Sequence, residues 1–321
     1  MSNIKTSMKI ISGSSHPAIG EEIALCASVP LTPVHLDRFA NGEINVRILE
    51  SVRGDDVFIV QSHAEAVNDS ILEQAILIDS AKRASAGSIT AVCPFMAYAR
   101  QDRKSNGREP ISARLMIDIL ANAGADRIMT VDLHTGQIQG FMDGPFDHLI
   151  ARPVLVDYLR ENFSKENLVI VSPDAGRVKS SERYSNELDC ELAIIHKHRS
   201  ANSKKSAVAK HLIGDVEGRV CIIVDDMIDT AGTLCSAADL LMQNGADRVI
   251  GVATHGLFSG PAKERIMSSA FEKIIVTNTL PQDSSFKKLE ILSVAPLIAS
   301  SIKAVYSGDS VSALFNDSNQ F

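Results

Sequence analysis

Five consecutive apolar residues, Val220-Cys-Ile-Ile-Val224, run directly into Asp225 and Asp226 and then into the small-residue stretch Asp229-Thr-Ala-Gly-Thr233. A Val/Ile run of that length has no polar face, so it predicts a strand covered on both sides, as in a parallel sheet. The carboxylates then fall at the carboxyl end of the strand, where open α/β sheets place their ligands. Leu234-Cys-Ser-Ala-Ala-Asp-Leu-Leu-Met242 follows with a helix-like pattern. The amides and two threonine hydroxyls of the turn would therefore face an anion at a helix N-terminus. Two carboxylates beside a phosphate cradle suit paired ribose hydroxyls and a divalent ion. The plainer alternative is an acidic loop after a core strand, since acidic residues favour turns and caps.

The same alternation recurs along the chain. Strands are expected at 8–11, 45–48, 57–61, 88–93, 127–131, 168–172, 192–196, 219–225, 248–254 and 273–277. Helices are expected at 70–84, 111–122, 151–162 and 233–244. That order predicts parallel α/β layers with right-handed crossovers. Asn122-Ala-Gly-Ala-Asp-Arg-Ile-Met-Thr-Val-Asp-Leu-His134 echoes Asn244-Gly-Ala-Asp-Arg-Val-Ile-Gly-Val-Ala-Thr-His255. The echo reads as a duplication, or as a generic helix-to-strand joint met twice. With 321 residues, two domains are expected, divided near residue 150.

A net charge of −7 gives no basic stripe for a nucleic-acid backbone, and 5% aromatic residues without Trp give few stacking platforms. The cysteines at 26, 93, 190, 221 and 235 never form Cys-x-x-Cys, which argues against structural zinc and a disulfide framework. No signal-type apolar run and no long uncharged apolar stretch occurs, so the expectation is a cytoplasmic chain with no membrane partner.

Neither Gly-x-x-x-x-Gly-Lys-[Ser/Thr] nor a post-strand Gly-x-Gly-x-x-Gly is present, so any nucleotide is held differently. In Arg38-Phe-Ala-Asn-Gly-Glu43, Phe39 could stack on a base while Asn41 and Glu43 read polar edges; a plain Asn-Gly hairpin turn explains the same letters. Tyr98-Ala-Arg-Gln-Asp-Arg-Lys104 concentrates Arg100, Arg103 and Lys104 around Asp102 after a core strand, as a polyphosphate clamp or a solvated loop would. His134 and Asp174 each follow an apolar strand. Hard magnesium favours the oxygens of Asp174, with His134 acting by hydrogen bond or through water. Lys197 and Arg199 point the same way in extended chain and open the polar run 200–206, which reads as a loop able to close over a transferring phosphoryl group or as an ordinary basic loop.

Taken in order, these segments resemble the ribose-phosphate pyrophosphokinase family, specifically its phosphate-dependent first class, over essentially the whole chain. The specific elements are Arg38-Phe-Ala-Asn-Gly-Glu43, Tyr98-Ala-Arg-Gln-Asp102, Val131-Asp-Leu-His134 with Gln137-Ile-Gln-Gly-Phe141, Val171-Ser-Pro-Asp-Ala-Gly176, Ile195-His-Lys-x-Arg199 and Asp225-Asp-Met-Ile-Asp-Thr-x-Gly-Thr233. The resemblance implies two duplicated phosphoribosyltransferase-type, Rossmann-like α/β domains with mainly parallel sheets: 1–149, with 307–321 returning to it, and 150–306. It implies transfer of the β,γ-pyrophosphoryl group of ATP to the C1 hydroxyl of ribose 5-phosphate, with Mg2+ as cofactor and inorganic phosphate as activator. Phe39, Asn41, Glu43, Arg100, Gln101 and Asp102 would hold ATP, and His134 and Asp174 would attend its magnesium. Lys197 and Arg199 would be the catalytic pair; Asp225, Asp226, Asp229, Thr230, Ala231, Gly232 and Thr233 would bind ribose 5-phosphate. Ser51, Arg53, Ser310 and Ser312 resemble positions that take regulatory phosphate or the β-phosphate of ADP, and a homo-oligomer, commonly a hexamer built from dimers, is implied.

Two letters depart from the family pattern. Arg177 stands where a second glycine is usual, so a required positive φ would strain it, or its charge would serve the loop. Ala231 replaces Gly or Cys and fits unless positive φ is required there.

Overall fold

The computed structural model describes residues 7–198 and 209–315, which form two compact α/β units. The first runs to Ile150 and also takes in Thr279–Pro281 and the chain from Val294 on. Its sheet joins β1 (Met8–Ser12), β4 (Asp56–Val60), β5 (Ser88–Cys93), β6 (Arg127–Val131) and β7 (Phe146–Leu149) in that order, all parallel. Between β1 and β4 the chain makes an antiparallel hairpin of β2 (Val34–Arg38) and β3 (Ile44–Ile48). Side chains alternate across a strand. Ile11, Ile59, Ile89, Ala91 and Ile128 thereby meet Leu77, Ile78, Ile117 and Leu120 of α2 (Val67–Arg83) and α3 (Ser112–Ala123) in one buried cluster.

The second unit, Ala151–Asn278 with Gln282–Ser293, carries a seven-stranded sheet. Its order is β10 (Ala209–Ile213), β9 (Glu191–His198), β8 (Leu168–Ser172), β11 (Val220–Ile228), β12 (Arg248–Gly256), β13 (Phe271–Thr277) and β14 (Leu289–Leu292). Only the β9–β10 pair is antiparallel. Val220–Val224 is buried throughout, as an all-apolar run requires. Its odd and even residues feed two different cores. Cys221 and Ile223 face Leu234, Ala238, Leu241 and Ile266 of α6 (Gly232–Gln243) and α7 (Ala262–Ser268). Ile222 and Val224 face Leu155, Leu159, Phe163 and Tyr184 of α4 (Arg152–Phe163) and α5 (Val178–Leu188).

The repeated Gly-Ala-Asp-Arg segments occupy matching places. Each closes a helix, α3 or α6, with a positive-φ glycine, Gly124 or Gly245, and enters a parallel strand third in the run β4-β5-β6-β7 or β8-β11-β12-β13. Two elements fall elsewhere than the sequence pattern places them. Helix α8 (Ala295–Ser307) belongs to the first unit, where it packs against α1 (Pro17–Ala27), so more than residues 307–321 returns there. Strand β11 also runs on to Ile228, three residues past Asp225, so the acidic pair lies inside its last stretch rather than at its final residue.

Candidate active site

In the second unit the carboxyl ends of β8 and β11 are neighbours, because the two strands pair in parallel from Leu168↔Val220 to Val171↔Ile223. That pairing brings the Asp174 turn beside Asp225 and Asp226. Asp174 caps its own turn, accepting from the Gly176 amide at 2.9 Å. Three residues after Asp174, Arg177 sets Nε 3.2 Å from Asp225 Oδ1 and Nη2 2.5 Å from Asp226 Oδ1. Its φ of −100° is ordinary, so the strain that a positive-φ position would impose is absent, and the residue contributes charge instead. Asp225 Oδ1 also accepts the Asp226 amide at 2.9 Å. Burial, and then the adjoining Asp226 carboxylate, push the Asp225 carboxyl up to about 8 despite the opposing pull of Arg177. The pair thus holds a proton more readily than an isolated carboxylate does, and Arg177 faces the charge that remains.

The turn after β11 is tied down from behind. The Leu257 and Phe258 amides donate to the Ile228 carbonyl, Ser259 donates to the Asp229 carbonyl, and Arg265 Nη1 donates to the Thr230 carbonyl at 2.9 Å. Arg265, on α7, was not legible as a site residue, since one arginine in a short amphipathic helix carries no motif. Ala231 stands at φ 57°, ψ 1° as the N-cap of α6. Positive φ is therefore required at this position, and Ala231 pays for it in strain that glycine would avoid. The first amides of a helix have no intrahelical acceptor, so Gly232 and Thr233 begin an anion-binding end.

The nucleotide candidates belong to the first unit. Phe39, Asn41 and Glu43 form the β2–β3 turn, where Asn41 accepts the Glu43 amide, Phe39 is 55% exposed, and Arg38 reaches Asp69 on α2 at 3.1 Å. Gln101 and Asp102 make hydrogen bonds within the same unit. Gln101 accepts from Ser112 Oγ at the start of α3, and buried Asp102 accepts from Thr135 Oγ1 and Gln137 Nε2. Asp102 therefore joins the 98–104 segment to the one that carries His134. Both segments contain a non-glycine residue at positive φ, Tyr98 at 62° and Asp132 at 37°. Such strain collects where a fold holds a loop to a set shape.

Beneath them lies a buried network absent from the sequence reading. The Ala97 amide donates to His63 Nδ1 at 3.2 Å, which makes Nε2 the protonated nitrogen facing Gln74 Oε1 at 2.9 Å. Gln74 Nε2 donates to the Ile59 and Val92 carbonyls, and Cys93 Sγ also donates to Gln74. Burial lowers His63 to about 4, against the raising effect of Gln74, so the ring is neutral at pH 7.

The remaining expected residues are less connected. Lys197 lies near the end of β9, paired with Lys210 of β10, while Arg199 and 200–206 lie outside the described residues. Ser51 and Arg53 are exposed, and Arg53 donates to Ser85 Oγ at 3.4 Å. Ser310 and Ser312 are exposed, Ser310 just before and Ser312 at the start of the short helical turn Ser312–Phe315. Among the described residues no three His, Cys, Asp or Glu side chains gather as a metal cluster, and no helix is long and apolar enough to cross a membrane. Magnesium nonetheless fits the donor set: it takes one or two carboxylates and fills its shell with substrate oxygens and water, and Asp225 and Asp226 offer hard oxygens on adjacent residues. A cavity of about 640 Å³, lined by Arg160, Phe163, Cys190 and Arg219, lies at the opposite ends of the strands.

Two α/β units with mainly parallel sheets, one carrying an acidic pair near a strand end that leads into the N-terminus of a helix, define an α/β protein of the doubly wound class. Comparison with known proteins narrows this. Residues 8–124 match the N-terminal domain of ribose phosphate pyrophosphokinase, and 199–316 match the phosphoribosyl synthetase-associated domain. The chain is 50% identical to ribose-phosphate pyrophosphokinase of Streptomyces avermitilis over 99% of its length and all of that protein's, and 50% identical to that of Mycobacterium tuberculosis over 97% of each. The crystal structure of phosphoribosylpyrophosphate synthetase from Mycobacterium smegmatis superposes with a TM-score of 0.89 at 47% identity, covering 94% of this chain and all of the other. The chain belongs to the ribose-phosphate pyrophosphokinase family, class I type.

Proposed function

We propose that the chain transfers the β,γ-pyrophosphoryl group of ATP to the C1 hydroxyl of ribose 5-phosphate, giving 5-phosphoribosyl 1-diphosphate and AMP. The observation that carries this is the acceptor turn: Asp225 and Asp226 at a strand end, followed within a few residues by the amides that open α6. The acidic pair holds the ribose hydroxyls, and Asp229 to Thr233 wrap the 5-phosphate. The C1 oxygen attacks the β-phosphorus, the bond from that phosphorus to the α–β bridging oxygen breaks, and AMP leaves while the hydroxyl proton passes to solvent. Little covalent work falls to the protein, so holding the reactants in line contributes much of the rate. Lys197 and Arg199 neutralise charge on the moving group. Magnesium, when bound, supplies Lewis-acid neutralisation of the phosphate oxygens.

Phe39, Asn41 and Glu43 hold adenine, Arg100 meets the phosphates, and Gln101 and Asp102 fix the loop that presents Arg100. His134 and Asp174 attend the magnesium of the triphosphate. Inorganic phosphate activates and ADP inhibits through Ser51, Arg53, Ser310 and Ser312, and the working form is a cytoplasmic homo-oligomer of the hexameric type. Incubation with ATP, Mg2+ and ribose 5-phosphate tests the reaction: one AMP should appear for each ribose 5-phosphate consumed, and ADP or no nucleotide product would overturn it. Titrating phosphate at fixed ATP tests the regulation, which a rate indifferent to phosphate would refute.

A further inference from the structure

Arg177 sits in the turn where the family pattern has a second glycine, and both of its described ion pairs go to the acceptor carboxylates. Its placement follows from the fold. Asp174 caps the short helical turn 175–177, α5 begins at Val178, and the β8–β11 pairing puts that turn beside the end of β11. The three side chains are only 21%, 26% and 10% exposed for Arg177, Asp225 and Asp226, so solvent screens their interaction less than at an open surface. A fork of two nitrogens on two different carboxylates is a geometry that lysine cannot reproduce.

We propose that Arg177 is an internal cation of the acceptor pair, a positioning residue that sets how strongly Asp225 and Asp226 take a divalent metal and keeps the two carboxyl groups adjacent. This rests on the assignment of Asp225 and Asp226 to the acceptor half-site. A divalent ion arriving at the pair meets one positive charge more than the two carboxyl groups alone would present, and must loosen the guanidinium from at least one oxygen. Metal capture is thereby weak until ribose 5-phosphate adds its hydroxyl oxygens, so sugar and metal bind with positive coupling. Removing the guanidinium strengthens bare metal binding and reduces that coupling.

The test uses Mn2+ alone, followed by electron paramagnetic resonance on the full chain, then repeated with saturating ribose 5-phosphate and no nucleotide. Arg177→Gln should bind bare Mn2+ about tenfold more tightly than the unaltered chain, the scale expected for deleting one partly screened charge a few ångströms away. The added gain on supplying ribose 5-phosphate should shrink in the same variant. Arg177→Lys, which keeps the charge without the fork, should fall between the two, and Asp226→Asn added to Arg177→Gln should abolish the gain. Unchanged or weaker Mn2+ binding in folded Arg177→Gln, or a gain that survives Asp226→Asn, would overturn the proposal. If Arg177→Gln does not fold, Arg177→Lys decides: tighter bare binding supports the proposal and unaltered binding overturns it. The readout needs no turnover, so AMP formation by the unaltered chain with an Arg177 result of no effect sinks this inference alone.

Discussion

Asp102 Oδ2 accepts a hydrogen bond from Gln137 Nε2 at 2.6 Å, and the same oxygen accepts Thr135 Oγ1 at 2.8 Å. A buried carboxylate shared in this way fixes the Arg100 segment to the His134 segment, two loops that leave adjacent strands, β5 and β6. Asp102→Ala should therefore cost about 1–3 kcal/mol, because two donors lose a charged acceptor. Gln137→Ala should reproduce part of that loss, with a coupling of roughly 1 kcal/mol in a double-mutant cycle read by urea denaturation. Strictly additive losses would contradict the staple.

His63 gives a pH dependence whose sign is fixed by its burial. Its folded value is lowered to about 4 from an ordinary 6.5, so above pH 6.5 neither folded nor unfolded chain carries the proton. Between 6.5 and 4 the unfolded chain takes a proton that the folded ring refuses, and stability falls as pH falls. A shift of that size corresponds to a loss of about 3 kcal/mol by pH 4. His63→Gln, which keeps an acceptor for Ala97 and a donor for Gln74, should flatten the decline in denaturant midpoint between pH 7 and pH 4.5. An equally steep decline in the variant would place the acid sensitivity elsewhere.

Ala231 at φ 57° is the clearest strained position in the acceptor turn. Ala231→Gly should raise stability by about 1 kcal/mol, the left-handed penalty less the extra freedom of glycine in the unfolded chain. Thermal unfolding measures it, and a lower melting temperature would show that the buried methyl is worth more than the strain.

Arg265 holds the same turn from behind through the Thr230 carbonyl. Arg265→Ala should raise KM for ribose 5-phosphate several-fold while leaving KM for ATP nearly unchanged, since one exposed hydrogen bond is worth about 1 kcal/mol. Equal changes in both constants would point to a general loss of structure.

The central strands were legible because Val220–Val224, Leu168–Val171 and Val249–Ala253 are too apolar to lie anywhere but inside a sheet. The edge strands β7 and β14 were not: Phe146-Asp-His-Leu149 and Leu289-Glu-Ile-Leu292 are four residues long and interrupted by charge. Helix α5 was hidden because Val178-Lys-Ser-Ser-Glu-Arg-Tyr-Ser-Asn-Glu-Leu188 buries only Ser181, Tyr184 and Ser185. The strand, turn and helix start around Asp225–Thr233 could be read from order alone, since the residues are contiguous. Arg177 could be flagged as a departure, but its partners lie 48 and 49 positions onward, reached only because β8 and β11 pair. The His63–Gln74–Ala97 network had no signal, being built from single letters on a loop, a helix and a second loop.

The most direct measurement is phosphorus NMR of the chain turning over ATP and ribose 5-phosphate with Mg2+, run beside Asp226→Ala. The unaltered chain should give AMP and a sugar C1-diphosphate in equal amounts, only when ribose 5-phosphate is present, and Asp226→Ala should be slower by about 100-fold or more, as loss of a charged acceptor contact in the reacting complex implies. ADP in place of AMP, or an undiminished rate in Asp226→Ala, would contradict the account.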